Sequence, residues 1–188
     1  MHRLARDLRV RRCIFLSYST RPAAYYEAGD EMKTKKNAGT YARFILLSLA
    51  VGGAASVVTM KGMPLYDQMA KPWFAPPDLV FPVVWTLLYV LMGIGMARVW
   101  LTKLPVRKGA LVVFLIQLAV NFLWTVWFFG LHKYLLAFLW LVLLVFVVAE
   151  MSRWFSLADK VAGRLQIPYL LWGLFATALN LAVWLLNR

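Results

Sequence analysis

The stretch Gly109-Ala-Leu-Val-Val-Phe-Leu-Ile-Gln117-Leu-Ala-Val-Asn121-Phe-Leu-Trp124-Thr-Val-Trp127-Phe-Phe-Gly130 carries no charged side chain anywhere along its length. As an α-helix it is long enough to cross the ~30 Å hydrocarbon core of a bilayer, for which ~20 residues suffice. A barrel strand is excluded because apolar and polar residues do not alternate. Gln117, Asn121 and Trp124 follow the spacing i, i+4, i+7 and therefore share one helical face. Amides are costly against lipid, so this face is expected to point into a helical bundle.

Four further runs of the same kind flank it: Tyr41 to Met60, Leu79 to Leu101, Tyr134 to Phe155 and Val161 to Leu186. Short connections make consecutive helices antiparallel neighbours. The reading is an all-α integral membrane protein, a compact bundle of five transmembrane helices over residues 41–188, with the termini on opposite sides. Composition agrees. A chain that is 62% hydrophobic, 15% charged and of mean hydropathy +0.67 has too little polar surface for a water-soluble globule of 188 residues. The lone Cys13 excludes an internal disulfide and a cysteine-based metal site.

A net charge of +13 suggests nucleic acid until its location is considered. Residues 41–188 carry twelve Lys or Arg against four acids, almost all at helix ends. On the N-terminal side of the bundle lie Lys33, Lys35, Lys36, Arg43, Arg98, Lys103, Arg107, Lys108, Arg153, Lys160 and Arg164. The other side has Lys61, Lys71, Lys133 and Arg188. Membrane topology accounts for this asymmetry without a nucleic-acid partner. The positive-inside rule predicts a cytoplasmic N-terminus, most simply in the cell membrane, with the first loop facing outward.

Residues 1–40 have no apolar run and are expected to form a flexible basic arm. Its opening, with Arg3, Arg6, Arg9, Arg11 and Arg12, has the charge of a transit peptide but few serines, and it includes Asp7. Met32-Lys-Thr-Lys-Lys directly before the first apolar helix also reads as a natural start. N-terminal sequencing of the purified protein separates the two readings.

Tryptophan favours membrane interfaces, and a belt accounts for Trp100 and Trp154. Placed by depth, Trp73, Trp85, Trp124, Trp127, Trp140 and Trp184 gather toward the outward side, and Trp172 lies near the midplane. Belts populate both interfaces comparably, so this bias points to an aromatic cavity opening outward. Trp85 and Tyr89 stand one turn apart on the second helix, and Gly173, Thr177, Asn180 and Trp184 form a stripe on the fifth. Interhelical hydrogen bonds are the alternative use for these polar groups. The loop at residues 61–78 holds Pro64, Pro72, Pro76 and Pro77 together with Trp73, and is expected to act as a lid over the opening.

Lys71-Pro72-Trp73 with Pro76-Pro77, Phe81-Pro82 and Trp85-Thr-Leu-Leu-Tyr89, Gln117 to Asn121 with Trp124 and Phe128-Phe129-Gly130, and Pro168-Tyr169-Leu-Leu-Trp172 with Phe175-Ala176-Thr177 and Leu179-Asn180 occur in this order. Together they resemble the translocator protein family, also called tryptophan-rich sensory proteins or peripheral-type benzodiazepine receptors. The resemblance covers residues 41–188. It implies a membrane receptor or sensor, commonly a homodimer in bacterial members, that binds protoporphyrin IX, haem and related flat hydrophobic ligands. It carries ligand-binding positions onto Trp73, Trp85, Tyr89, Asn121, Trp124, Trp172 and Ala176. Transport of porphyrin or sterol is an alternative role. Light-dependent porphyrin breakdown is another, with Trp85 and Trp172 as the matching indoles. The animal cholesterol-recognition stretch needs a tyrosine before a basic residue, and none lies between Asn180 and Arg188.

Chemistry beyond this has few candidates. Glu150 is expected to pair with Arg153, and His132 lies in a tight turn where a solvated role is the simplest. No nucleophile-base pair or metal cluster is legible, so no metal site or required cofactor is expected, and binding is favoured over catalysis. Lys61 and Lys71 are expected at the cavity mouth, where they would meet ligand carboxylates.

Overall fold

A computed structural model describes residues 23–188, with side chains from Asn37 onward. The first 22 residues, most of the expected basic arm, lie outside the described residues. The chain divides into two compact units at Gly39, and everything below concerns the second, Thr40–Arg188. Its elements are α1 (Ala23–Asp67, which begins in the first unit), α2 (Val80–Leu101), α3 (Arg107–Thr125) ending in a π-helical turn (Val126–Gly130), α4 (Tyr134–Ala158), a short α5 (Lys160–Arg164) and α6 (Ile167–Leu186). Five segments are long and apolar enough to cross a membrane: Asn37–Asp67, Val80–Leu101, Arg107–Gly130, Tyr134–Ala158 and Lys160–Leu186. The protein is an all-α, five-span integral membrane bundle, as expected.

The boundaries differ in two places, each for a proline reason. α1 continues to Asp67, seven residues beyond the expected end at Met60, so the loop begins at Gln68 and not at Lys61. Pro64 sits in the last turn of α1, where its missing N–H removes only one hydrogen bond from a helix end. The fifth span is broken between α5 and α6. Pro168 cannot donate to the Arg164 carbonyl, and it occupies the first turn of α6, where no donor is needed.

Two apolar clusters fill the bundle. One, around Met92, Met96, Phe114, Val148 and Phe155, lies toward the N-terminal side. The other, around Trp124, Phe128, Leu141, Leu179 and Val183, lies toward the opposite side, that of the α1–α2 loop, and Trp85 packs against both. Gly93 and Ala97, a small-residue pair of the kind that mediates helix dimers, are both buried inside the bundle. A Cβ on Gly93 would overlap the Ile45 backbone, so the pair lets α1 approach α2 closely.

The α4–α5 corner is held by Asp159. Its carboxylate caps α5 by accepting from the N–H groups of Val161 (2.7 Å) and Ala162 (3.1 Å), and it pairs with Arg98 of α2 at 2.7 Å. Burial opposes the charge, but the Ala162 N–H, the Arg98 guanidinium and the Val161 N–H outweigh it and hold the carboxyl below its usual range. A depressed pKa contributes stability above the unfolded value and loses it as pH falls through the folded one. Unfolding below about pH 4 should therefore remove this corner's contribution. Asp159→Asn is expected to cost about 1–2 kcal/mol at neutral pH, from one weakened cap and one lost ion pair. A thermal midpoint that is unchanged from wild type at pH 7 would contradict this. Glu150 and Arg153 pair at 3.3 Å on the exposed surface, as expected.

Candidate functional site: an aromatic cavity beneath the α1–α2 loop

α3 supplies the floor of the site. Its polar face, Gln117, Asn121 and Trp124, is buried as expected, and each residue finds a partner on another helix. The Tyr89 hydroxyl donates to Asn121 Oδ1 at 2.8 Å. Asn121 Nδ2 and Gln117 Nε2 both donate to the Tyr169 hydroxyl of α6, the latter at 2.6 Å. Trp124 Nε1 donates to Asn180 Oδ1 at 3.3 Å, and Asn180 Nδ2 donates to the Tyr134 carbonyl at 3.0 Å. Two polar networks thus tie the helices: Tyr89, Asn121, Gln117 and Tyr169 join α2, α3 and α6, and Trp124, Asn180 and the Tyr134 carbonyl join α3 and α6 to the start of α4. Tyr169 is the hub of the first network, and its sequence motif, Pro168-Tyr169-Leu-Leu-Trp172, gives no sign of these partners.

Above these networks lies a cavity of about 350 Å³, within the range of small-molecule sites. Trp85 stacks on Trp124 with ring centroids 5.9 Å apart and planes 30° apart, and tilts against Tyr89 at 5.9 Å. Trp172 meets Phe81 edge-on at 6.0 Å and Phe175 at 5.2 Å. The π-helical turn, closed by Leu131 N–H donating to the Val126 carbonyl, brings Phe128 and Phe129 against Tyr66 of α1. Ser56, Thr59, Met60 and Met63 of α1 form the remaining wall. The lining is overwhelmingly apolar, with a few fixed polar groups. Trp172 Nε1 is buried there with no hydrogen-bond partner, and is thus available to an acceptor on a bound molecule.

Of the seven positions carried over by resemblance, Trp85, Tyr89, Asn121, Trp124, Trp172 and Ala176 line this cavity. Trp73 does not. Its ring is 95% exposed and packs edge-on against Phe74, which in turn contacts Phe175. Neither Lys61 nor Lys71 is part of the lining. Lys71 bridges Asp67 at 3.1 Å and Asp78 at 3.6 Å and lies 4.5 Å from the Tyr66 ring centre. Burial opposes the Lys71 charge, but the hydrogen bond to Asp67 and the charge of Asp78 raise its pKa above the ordinary lysine value. The loop is tied down a second time by Asn187, whose side chain accepts from Ala70 N–H and donates to the Ala70 carbonyl, both at 3.0 Å. Trp127 and Trp140 pack on each other, and Trp140 Nε1 donates to the Val120 carbonyl. Among the described residues, no His, Cys, Asp and Glu cluster could hold a metal ion.

Fold and site together define a multi-pass membrane protein whose helices enclose an aromatic cavity of ligand size. Residues 44–185 match the model of the TspO/MBR family. The chain is 41% identical to a tryptophan-rich protein TspO of Chlorobaculum tepidum, over 79% of this chain and 96% of that one. It is 40% identical to a tryptophan-rich sensory protein of Cereibacter sphaeroides (78% and 92% covered), and 34% identical to the human translocator protein (66% and 75% covered). The protein belongs to the TspO/MBR family.

Proposed function

We propose that the cavity binds a porphyrin, such as protoporphyrin IX or haem, or a related flat hydrophobic ligand, and that the protein acts as a membrane receptor or sensor. The Trp85–Trp124 pair carries this reading: two indoles inclined at 30° to each other, both lining the cavity, offer aromatic surface against which a planar conjugated ring packs. Family membership and the cavity's apolar lining support it further. Lys71 already bridges two carboxylates, so a porphyrin propionate would reach it only by displacing Asp67 or Asp78. Lys61, exposed and without an ion-pair partner among the described residues, is the freer cation, one residue beyond Met60 of the cavity wall. Charge asymmetry across the bundle supports a cytoplasmic N-terminal side and a cell-membrane location. Homodimerisation is taken from the family resemblance alone.

Titration of detergent-purified protein with protoporphyrin IX should quench tryptophan fluorescence saturably. The double substitution Trp85→Phe and Trp124→Phe should raise the apparent Kd at least about tenfold, the loss of ~1.4 kcal/mol of stacking. Quenching that keeps its wild-type midpoint in this variant overturns the proposal.

A further inference from the structure

The cavity is not closed all round, and its exposed rim has a definite position. Of the residues that line it, Ser56 and Met60 on α1, Asp78 just before α2 and Pro82 in the first turn of α2 are exposed, Met60 at 73%. The rest are buried or half-buried. Below this gap α1 and α2 meet: Gly52 lies against the Tyr89 ring, and Gly93 against the Ile45 backbone. Above it, Lys71 bridges Asp67 at the end of α1 to Asp78 just before α2, so an ion-pair strap crosses the top of the gap. α1 is also pinned to the far wall at Gly62, which abuts the Phe129 backbone. The opening is therefore a framed window between two helices, not a mouth at the aqueous end.

Depth decides what the window faces. Met60 and Ser56 lie seven and eleven residues before the end of α1, which is about 10 and 16 Å below it at 1.5 Å per residue. The span Asn37–Asp67 has 31 residues, which at 1.5 Å each overruns a ~30 Å hydrocarbon core by about 8 Å at either end, so Met60 stands at the edge of the core and Ser56 about 8 Å inside one leaflet. On the water side, the loop is held by Lys71 and by the paired hydrogen bonds of Asn187 to Ala70.

We infer that the α1–α2 window is the entry route of the cavity, and that its ligands arrive dissolved in the outward leaflet and not from water. Ser56 and Met60 on one side and Pro82 on the other are the gate residues. The route rests on the cavity being a ligand site, but not on the ligand being a porphyrin. Molecules admitted this way are apolar enough to partition into lipid and thin enough to pass between two helices. Charged, water-soluble analogues of the same ring are excluded even though the cavity floor would accept them.

The test uses a thiol placed inside the cavity and no porphyrin. Ala176→Cys, in a chain whose Cys13 is replaced by serine, is reconstituted in phospholipid vesicles and labelled with two reagents. One is an apolar maleimide that partitions into lipid, and the other a charged methanethiosulfonate confined to water. Each rate is divided by that reagent's rate with a free thiol under the same conditions. The apolar reagent is expected to react at least about thirtyfold faster on this relative scale. Adding Ser56→Phe, which fills the window, should slow it at least about tenfold. Equal relative rates, no reaction with the apolar reagent, or an apolar rate unchanged by Ser56→Phe overturns the route. Failure of the porphyrin titration alongside successful labelling removes the proposed ligand and leaves the route standing.

Discussion

Asn121→Leu is expected to lower the midpoint of thermal unfolding by about 4–8 °C, the equivalent of about 2 kcal/mol for a domain of this size. Asn121 is buried and joins two tyrosines, accepting from Tyr89 and donating to Tyr169. Leucine matches its volume closely, so packing is roughly kept and the polar loss is isolated. Tyr169 still accepts from Gln117, but the Tyr89 hydroxyl loses its acceptor while it remains buried. An orphaned buried donor costs about 1–3 kcal/mol, whereas removing both partners of a hydrogen bond is far milder. The double variant Asn121→Leu with Tyr89→Phe should therefore recover about 1 kcal/mol relative to the sum of the singles. Strict additivity would show that this bond contributes nothing, which is a real alternative because interhelical hydrogen bonds in membranes average only about 0.6 kcal/mol.

The polar networks also mark the limit of what sequence alone could reveal. The inward face of α3 was legible because Gln117, Asn121 and Trp124 are the exceptions in an otherwise apolar helix, and their spacing fixes a direction. Trp85 and Tyr89 were legible for the same reason. Tyr169 was not, because it meets Gln117 and Asn121 from 52 and 48 residues away, and nothing near it in sequence announces a partner. The bearing of Phe128 and Phe129 was hidden too, since a π-helical turn rotates the end of α3 away from regular helical periodicity. Trp73 was expected in a lid. It is exposed because α1 continues through Pro64, leaving a shorter loop that Lys71 and Asn187 hold at its sides. A carboxylate four residues before Lys71 was a readable hint of this strap.

Gly62→Ala is expected to be among the most costly additions of a single methyl group to the described residues. A Cβ at this position would overlap the carbonyl oxygen of Phe129 and crowd its carbonyl carbon and Cα. All three are backbone atoms, so no rotamer change relieves the clash and α1 itself must move. Overpacking of this kind costs about 1–3 kcal/mol, and rigid backbone on both sides places it at the upper end. The thermal midpoint should fall by about 6–12 °C. Gly93→Ala meets the same kind of obstacle, the Ile45 backbone, but deep in the N-terminal half of the bundle and away from the cavity. Comparing the two variants separates stability from site geometry. Displacing α1 at Gly62 pulls Tyr66 away from Phe128 and Phe129 and moves the cavity wall at Met60 and Met63, whereas displacing it at Gly93 leaves that wall in place. Gly62→Ala should therefore raise the Kd for protoporphyrin IX about tenfold, and Gly93→Ala less than about threefold, at a similar loss of thermal midpoint. Equal losses of affinity would mean that binding follows the stability of the whole bundle and that α1 is not a wall of the site.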